Sequence, residues 1–271
     1  VLPWLATRSG VAPGWVAPGR RAVAGRAPLA ASGGEQAEWP SVAALLITYK
    51  RPELLLEALA QIGSQDYPGH VEAVVIDDSP ESSAAQIDAM REQGVALPEI
   101  RYVYQTERMS IGGKRNLAAR STDAEVLAVW DDDDVFTADR LRKQVEHLRG
   151  GGVACSAIEV AAMYSVPNAR LTVRPTTLPQ IVFENTLCFT RAWWEANNCK
   201  FGDAWEVSGQ GEGTLEPWWE EVRPLTGAEE PFLYIYLPSS VSGGTAVYLD
   251  PHPAPDDRLF ALVRALSAGG G

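Results

Sequence analysis

Sulfur and histidine are scarce in this chain: three cysteines, three methionines and three histidines in 271 residues. Cys155, Cys188 and Cys199 are odd in number and form no CxxC pair, which argues against a disulfide framework and against a structural zinc site. A reduced interior with at most one bridge is expected. Long apolar runs are missing too. "VAALLI" is among the longest and falls far short of the roughly 20 residues that cross a bilayer, so no membrane span is expected in this soluble chain. No GxGxxG follows the first apolar segment, which disfavours a nicotinamide or flavin enzyme. Nor is there a Walker loop, because Gly113-Lys114 is followed by Arg115 instead of Ser or Thr and Arg108 stands where the first Gly belongs. No internal repeat is found.

Acid is absent from residues 1–34, which carry Arg8, Arg20, Arg21 and Arg26. The formal net charge of −12 therefore hides a body with 19 basic residues against 35 acidic ones, a net of −16. Such a body repels phosphate backbones and anionic lipid unless a cation intervenes, so nucleic acid is not an expected partner. A hydrophobic fraction of 46% is ample for a core in one large domain or two small ones. Residues 1–40, rich in Ala, Gly, Pro and Arg at their start, read as a leader or linker outside that core. The compartment, cytoplasm or Golgi lumen, stays open.

From Ser41 the pattern is that of alternating strands and helices. "VAALLIT" is an apolar strand that stops at "YKRP", where Pro52 suits a first helical position before "ELLLEALAQI". "VEAVVID" repeats the strand signal, followed by the turn-rich "DSPES" and the helical "AAQIDAMREQG". "IRYVYQ" is a third strand, "TERMSIGGKRNLAAR" a Gly-containing loop entering a helix, and "EVLAVW" a fourth strand. Thr137 is then expected to cap a helix with Leu141, Val145 and Leu148 on one face. This spacing predicts an α/β fold with a mostly parallel sheet covered on both sides. Ligands of such sheets bind beyond the carboxyl ends of the strands. Thr48, Tyr49 and Arg51, then Asp77 and Asp78, then Asp131 to Asp134 all fall at that edge. Past Gly150 the regularity weakens. "TLCFTRAWWEANN" reads as a strand entering a helix, "PFLYIYL" as a strand, and residues 251–271 as a Pro-rich piece with a terminal helix.

Four adjacent carboxylates at the lip of a sheet repel one another unless water, a basic partner or a cation neutralises them. A hard divalent ion, Mn²⁺ or Mg²⁺, is the chemical remedy. Held by one or two carboxylates it keeps positions open for a substrate diphosphate, and it lets an acidic protein take an anionic substrate. The plainer alternative is a solvated acidic turn ahead of the next helix. In "SIGGKRN" the glycines permit close backbone approach, and Lys114 and Arg115 supply positive charge near phosphate.

The ordered blocks "LLITYKRPELLLEAL", "VVIDDSPES", "SIGGKRNLAARS" and "VLAVWDDDDVFTADRL" resemble the nucleotide-binding half of glycosyltransferase family 2, over about residues 41–148. The resemblance implies the GT-A fold: a Rossmann-like sheet in residues 41–150, and an irregular acceptor-binding and catalytic half in 151–250 of the same domain. It implies a nucleotide diphosphate sugar as donor, UDP-linked, and an acceptor that the sequence does not identify. By the same likeness Asp77-Asp78 contact the base, Asp131-Asp132-Asp133 match the DxD motif, Asp131 faces ribose or metal, and Asp133 binds metal. Thr48, Tyr49 and Arg51 sit where they could hold the nucleoside, and Gly113, Lys114 and Arg115 belong to the donor site.

Inverting transfer needs a group to take the acceptor hydroxyl's proton as its oxygen attacks the anomeric carbon. The resemblance implies that the base comes from an acidic residue in the second half, often within a Gly-Glu-Asp-like turn. Glu212, between glycines in "GQGEGTLEPWW", is the candidate, with Glu206 and Glu216 as substitutes. The tryptophan pairs Trp193-Trp194 and Trp218-Trp219 could stack on sugars, although such pairs commonly place a member in the core. One departure from the family stands out: the late His that often completes the metal or diphosphate site is missing after "PFLYIYL", His252 lying further along. Two other readings compete with a glycosyltransferase. One is an inactive nucleotide- or glycan-binding module of a larger protein. The other is a sugar nucleotidyltransferase, against which the lack of a Gly-rich basic loop after the first strand counts.

Overall fold

A computed structural model describes residues 38–134, 136–150, 153–158, 160–165, 170–173, 184–196, 201–202, 222–225 and 232–236. Four strands lead the chain: β1 (Val42–Thr48), β2 (Val71–Asp77), β3 (Glu99–Tyr104) and β4 (Val126–Asp131). Helices α1 (Pro52–Gly63), α2 (Ala84–Glu92), α3 (Ile111–Arg120) and α4 (Arg140–Arg149) follow them in turn. Then come β5 (Cys155–Ile158), β6 (Val160–Ser165), β7 (Arg170–Val173), a single 3₁₀ turn Glu184–Thr186, β8 (Cys188–Thr190), α5 (Arg191–Ala196), β9 (Val222–Leu225) and β10 (Phe232–Tyr236). The predicted first four strands, Pro52 at the start of α1, and the strands at 188–190 and 232–236 all occur. Strands β5, β6, β7 and β9 carried no periodic signal of their own.

The main sheet has seven strands in the order β3-β2-β1-β4-β8-β5-β9, and β10-β6-β7 form a separate three-stranded sheet. Strands β3, β2, β1 and β4 are parallel, whereas β8 runs antiparallel to both β4 and β5. Chain order reverses between β1 and β4: β2 and β3 lie to one side of β1, and β4 to the other. That reversal splays the connections apart and leaves a crevice at the carboxyl ends of β1 and β4.

Both faces of the sheet are covered, which explains why β1 reads as a continuous apolar run rather than an alternating one. Val42, Ala44 and Leu46 pack with Leu55, Leu59 and Ile62 of α1 and with Leu141, Val145 and Leu148 of α4. Ala43, Leu45 and Ile47 face the opposite layer, with Ala118 and Ala119 of α3 and Trp193 and Trp194 of α5. All seven β1 residues are buried. Each fully buried Leu or Ile there contributes about 1.5–3 kcal/mol. Cys155 and Cys188 are buried on opposite layers, and burial pushes the Cys188 thiol up to about 12.

Two local expectations are corrected. Thr137 does not cap α4 through its side chain: the N-cap is Asp139, and Thr137 instead offers its carbonyl to Arg140 N at 3.2 Å. Gly112 and Gly113 are not in a loop but in the first turn of α3, which Ser110 caps by accepting Gly113 N at 2.9 Å. A Cβ on Gly112 would collide with the carbonyl oxygen of Gly202. The close approach that glycine permits here is by the protein's own backbone.

Candidate active site

Strands β1, β2 and β4 each deliver, at or just past their carboxyl ends, residues that meet in the crevice. At the end of β1, Thr48 Oγ1 donates to Asp132 Oδ2 at 2.7 Å. Lys50 follows with a left-handed backbone, φ 55°, and its N–H is held by Ser79 Oγ at 2.7 Å. This turn lets Arg51 reach across to the aspartates. Its Nη1 donates to Asp133 Oδ2 at 2.9 Å, and its Nη2 lies 3.0 Å from Asp132 Oδ1 in an ion pair outside hydrogen-bonding geometry.

At the end of β2, Asp77 is fully buried and its oxygens accept from Ser79 N, Ser83 N, Ser83 Oγ and Tyr102 Oη, the last at 2.6 Å. Burial opposes ionisation of this carboxyl, but the hydrogen bonds from Ser79, Tyr102 and Ser83 outweigh it and hold Asp77 below the usual carboxylate range. Asp78 is paired with Arg108 at Oδ2, which Met109 N also reaches at 2.7 Å, and with Lys114 Nζ at 2.9 Å on Oδ1. Lys114 is itself buried, and its Nζ also donates to the Thr48 carbonyl at 3.0 Å. Burial pulls the Lys114 ammonium below its usual range, and Asp78 restores part of the loss. Asp78, Lys114, Thr48 and Asp132 thus form one network joining the ends of β1, β2 and β4.

The four aspartates after Trp130 divide the work. Asp131 accepts from Arg115 Nη2 at 2.8 and 3.1 Å, and Arg115 Nη1 lies 3.3 Å from Glu184 Oε1. Burial works against the charge on Arg115, but Asp131 and Glu184 more than reverse that and raise its guanidinium above its ordinary range. Asp132 points into the protein, 3% exposed; burial pushes its carboxyl up to about 7, with Arg51 opposing and Asp133 and Asp131 adding to the rise. Asp133 is raised by burial and by Asp131 against the pull of Arg51. Asp134 is raised well above the usual range by burial and by the charges of Asp133 and Asp131. Asn185 Nδ2 donates to Asp134 Oδ2, while the other oxygen, Oδ1, is buried without a hydrogen-bond partner. A solvated acidic turn is therefore not what forms here.

Carboxylate oxygens from Asp131, Asp133 and Asp134 lie within 4.8 Å of one another. Three hard oxygen donors, one of them from Asp134, whose Oδ1 is buried without a hydrogen-bond partner, fit a divalent cation such as Mn²⁺ or Mg²⁺. Asp132 instead faces Thr48 and Arg51. The sequence pointed to Asp131 and Asp133; Asp134 joins them, and adjacency was its only signal. Glu184, which shares Arg115 with Asp131, had no sequence signal. Arg108 had stood out only for spoiling a Walker loop. Lys114 and Arg115, expected near phosphate, are engaged with Asp78 and with Asp131 and Glu184. Trp194 stacks on Phe189 and packs at a tilt on Phe201, and Trp193 packs at a tilt on Phe189, all in the core and not on an open face. Glu212, Glu206, Glu216, Trp218, Trp219 and His252 lie outside the described residues.

A doubly covered sheet whose order reverses between β1 and β4, with antiparallel β8 beside the strand that delivers the acidic cluster, is the GT-A fold of glycosyltransferases. The profile of Glycosyl transferase family 2 matches residues 44–196, more than half of the chain. The chain belongs to that family. Its fold is similar to S. aureus TarS 1-349 solved with UDP-GlcNAc, at TM-score 0.58 and 17% identity over 84% of this chain and 65% of that one. It is similar as well to the mannosyltransferase PcManGT from Pyrobaculum calidifontis, solved with GDP-Man and Mn²⁺, at TM-score 0.53 and 20% identity over 74% of this chain and 57% of that one. Against a longer S. aureus TarS chain the match has TM-score 0.55 and 18% identity, covering 72% of this chain and 36% of that one. The chain thus spans roughly a third to two thirds of the solved chains it matches. No curated protein matches it. Among the described residues no helix is long and apolar enough to cross a membrane.

Proposed function

We propose that the protein is a metal-dependent, inverting glycosyltransferase that moves a sugar from a UDP-linked donor to an acceptor hydroxyl. The observation that carries this reading is the cluster of Asp131, Asp133 and Asp134 oxygens within 4.8 Å at the strand-order reversal. The ligands in the related structures, UDP-GlcNAc in one and GDP-Man with Mn²⁺ in the other, support a nucleotide sugar as donor class. A Mn²⁺ or Mg²⁺ ion held by these aspartates would supply positive charge against the negative charge growing on the departing diphosphate.

The chain's own residues prepare that site. Arg115 orients Asp131 through two contacts on one carboxylate, and Glu184 holds the far side of the guanidinium. Thr48 and Arg51 keep Asp132 turned inward, which separates it from its three neighbours. The Tyr49 ring and the Asp77-Asp78 pair stand at the adjacent strand ends, where they would receive the nucleoside. Glu212 would take the acceptor proton, a role worth about 10²–10⁴-fold in rate.

Asp133→Ala is expected to abolish transfer and weaken donor binding with the melting profile kept; unchanged turnover rejects the assignment. Glu212→Gln should lower kcat about 10²–10⁴-fold while donor binding persists. UDP binding by the wild type with neither donor hydrolysis nor transfer, over a panel of nucleotide sugars, would instead identify a binding module.

A further inference from the structure

At the edge where the nucleobase would enter, the protein already occupies both of the contacts a base would make. The Arg108 guanidinium carbon lies 3.4 Å from the centroid of the Tyr49 ring. Its Nη1 ion-pairs with Asp78 Oδ2 and reaches the Met109 carbonyl at 3.4 Å. The remaining partners of the acidic pair belong to the framework: Lys114 and Met109 N on Asp78, and Ser79, Ser83 and Tyr102 on Asp77. Arg108 differs from Lys114 in being a surface side chain, 40% exposed against 4%, on the short connection between β3 and α3.

A guanidinium is planar, carries N–H donors along its edge and packs its face on aromatic rings. A nucleobase with an N–H edge offers the same two features. Tyr49 presents the ring and Asp78 the acceptor, so one position serves either group but not both at once. We propose that Arg108 is a self-plug of the nucleobase position, filling it in the free protein and turning out into solvent when the nucleotide arrives. This rests on the donor-site reading above. Its consequence is that a nucleotide binds only the unplugged fraction, and the apparent dissociation constant is the intrinsic one divided by that fraction. A cation over an aromatic ring together with a partly exposed ion pair favours the plugged state by about one order of magnitude. Arg108 would thus set donor affinity without touching the sugar.

The test is calorimetric titration of UDP and, separately, of inorganic pyrophosphate, with Mn²⁺ present, into wild type, Arg108→Ala and Arg108→Lys. Pyrophosphate has no base, so the plug predicts its affinity to be unchanged within about twofold, whereas UDP binds Arg108→Ala about tenfold more tightly. Lys keeps the charge beside Asp78 without the planar face, and that variant should fall between the two; it also carries the test should the Ala variant fail to fold. Weaker or equal UDP binding by the variants, or pyrophosphate affinity moving in parallel with UDP, overturns the plug alone. No UDP binding by wild type or either variant overturns the donor-site reading together with it.

Discussion

Asp132 is the residue through which the energetics of this site can be read most directly. It is 3% exposed, lies between two further aspartates and has Arg51 Nη2 at 3.0 Å, and burial still pushes its carboxyl from 3.8 up to about 7. The folded protein therefore binds this proton more tightly than the unfolded chain does. Between about pH 4 and about pH 7 the native state holds more protons, so stability is highest at the acid end and is lost as pH rises through that window. A shift of about three pH units corresponds to about 4 kcal/mol, fully felt above pH ~7. Asp132→Asn mimics the neutral acid and keeps an acceptor for Thr48 Oγ1. In metal-free protein the variant should match wild type near pH 4 and exceed it by about 4 kcal/mol at pH ~8. For a chain of this size that is a rise of roughly 10 °C in Tm. Thermal melts in EDTA across that range measure it. A difference that stays constant with pH, or a variant less stable at the alkaline end, would refute the account of Asp132 as a buried, charge-crowded acid.

Removing Arg115 should be the most damaging single change at the site. Arg115→Met leaves Asp131 and Glu184 without their shared cation and is expected to cost about 3–5 kcal/mol in urea unfolding, with Arg115→Lys recovering only part because an ammonium cannot fork. Gly112→Ala drives a methyl into the Gly202 carbonyl oxygen and should destabilise by about 1–3 kcal/mol; a neutral effect would mean that 201–202 do not pack on α3. Trp194→Ala opens a cavity against Phe189 and Phe201 and should cost about 3–5 kcal/mol in the same assay, whereas a sugar-stacking surface tryptophan would leave stability nearly unchanged.

The first half of the fold was legible because its signals are local. A run of β-branched and aliphatic residues followed by Pro52 defines β1 and α1 from neighbouring residues alone, and Leu141, Val145 and Leu148 at helical spacing define a face of α4. Strands β5 to β7 and β9 are short, four to six residues, and depend on partners distant in sequence, so their pairing could not be read from periodicity. Thr137 shows the limit on a smaller scale. A capping residue type was present, but the helix began two residues later, at a position that tertiary packing selected.

By itself the amino-acid order determined that strands would alternate with helices, that polar groups would collect at the carboxyl ends of β1, β2 and β4, and that an acidic quartet would need neutralising. Those follow from residue type and spacing. Only the folded chain decided how the charges are shared: Asp132 turned in toward Thr48 and Arg51, Asp131 clasped by Arg115 with Glu184 behind it, Asp134 drawn beside Asp131 and Asp133, and Arg108 set over Tyr49. The reason is distance. Charges interact according to their separation in space and their access to water, and the side chains that hydrogen-bond each aspartate lie from 16 to 84 positions away along the chain.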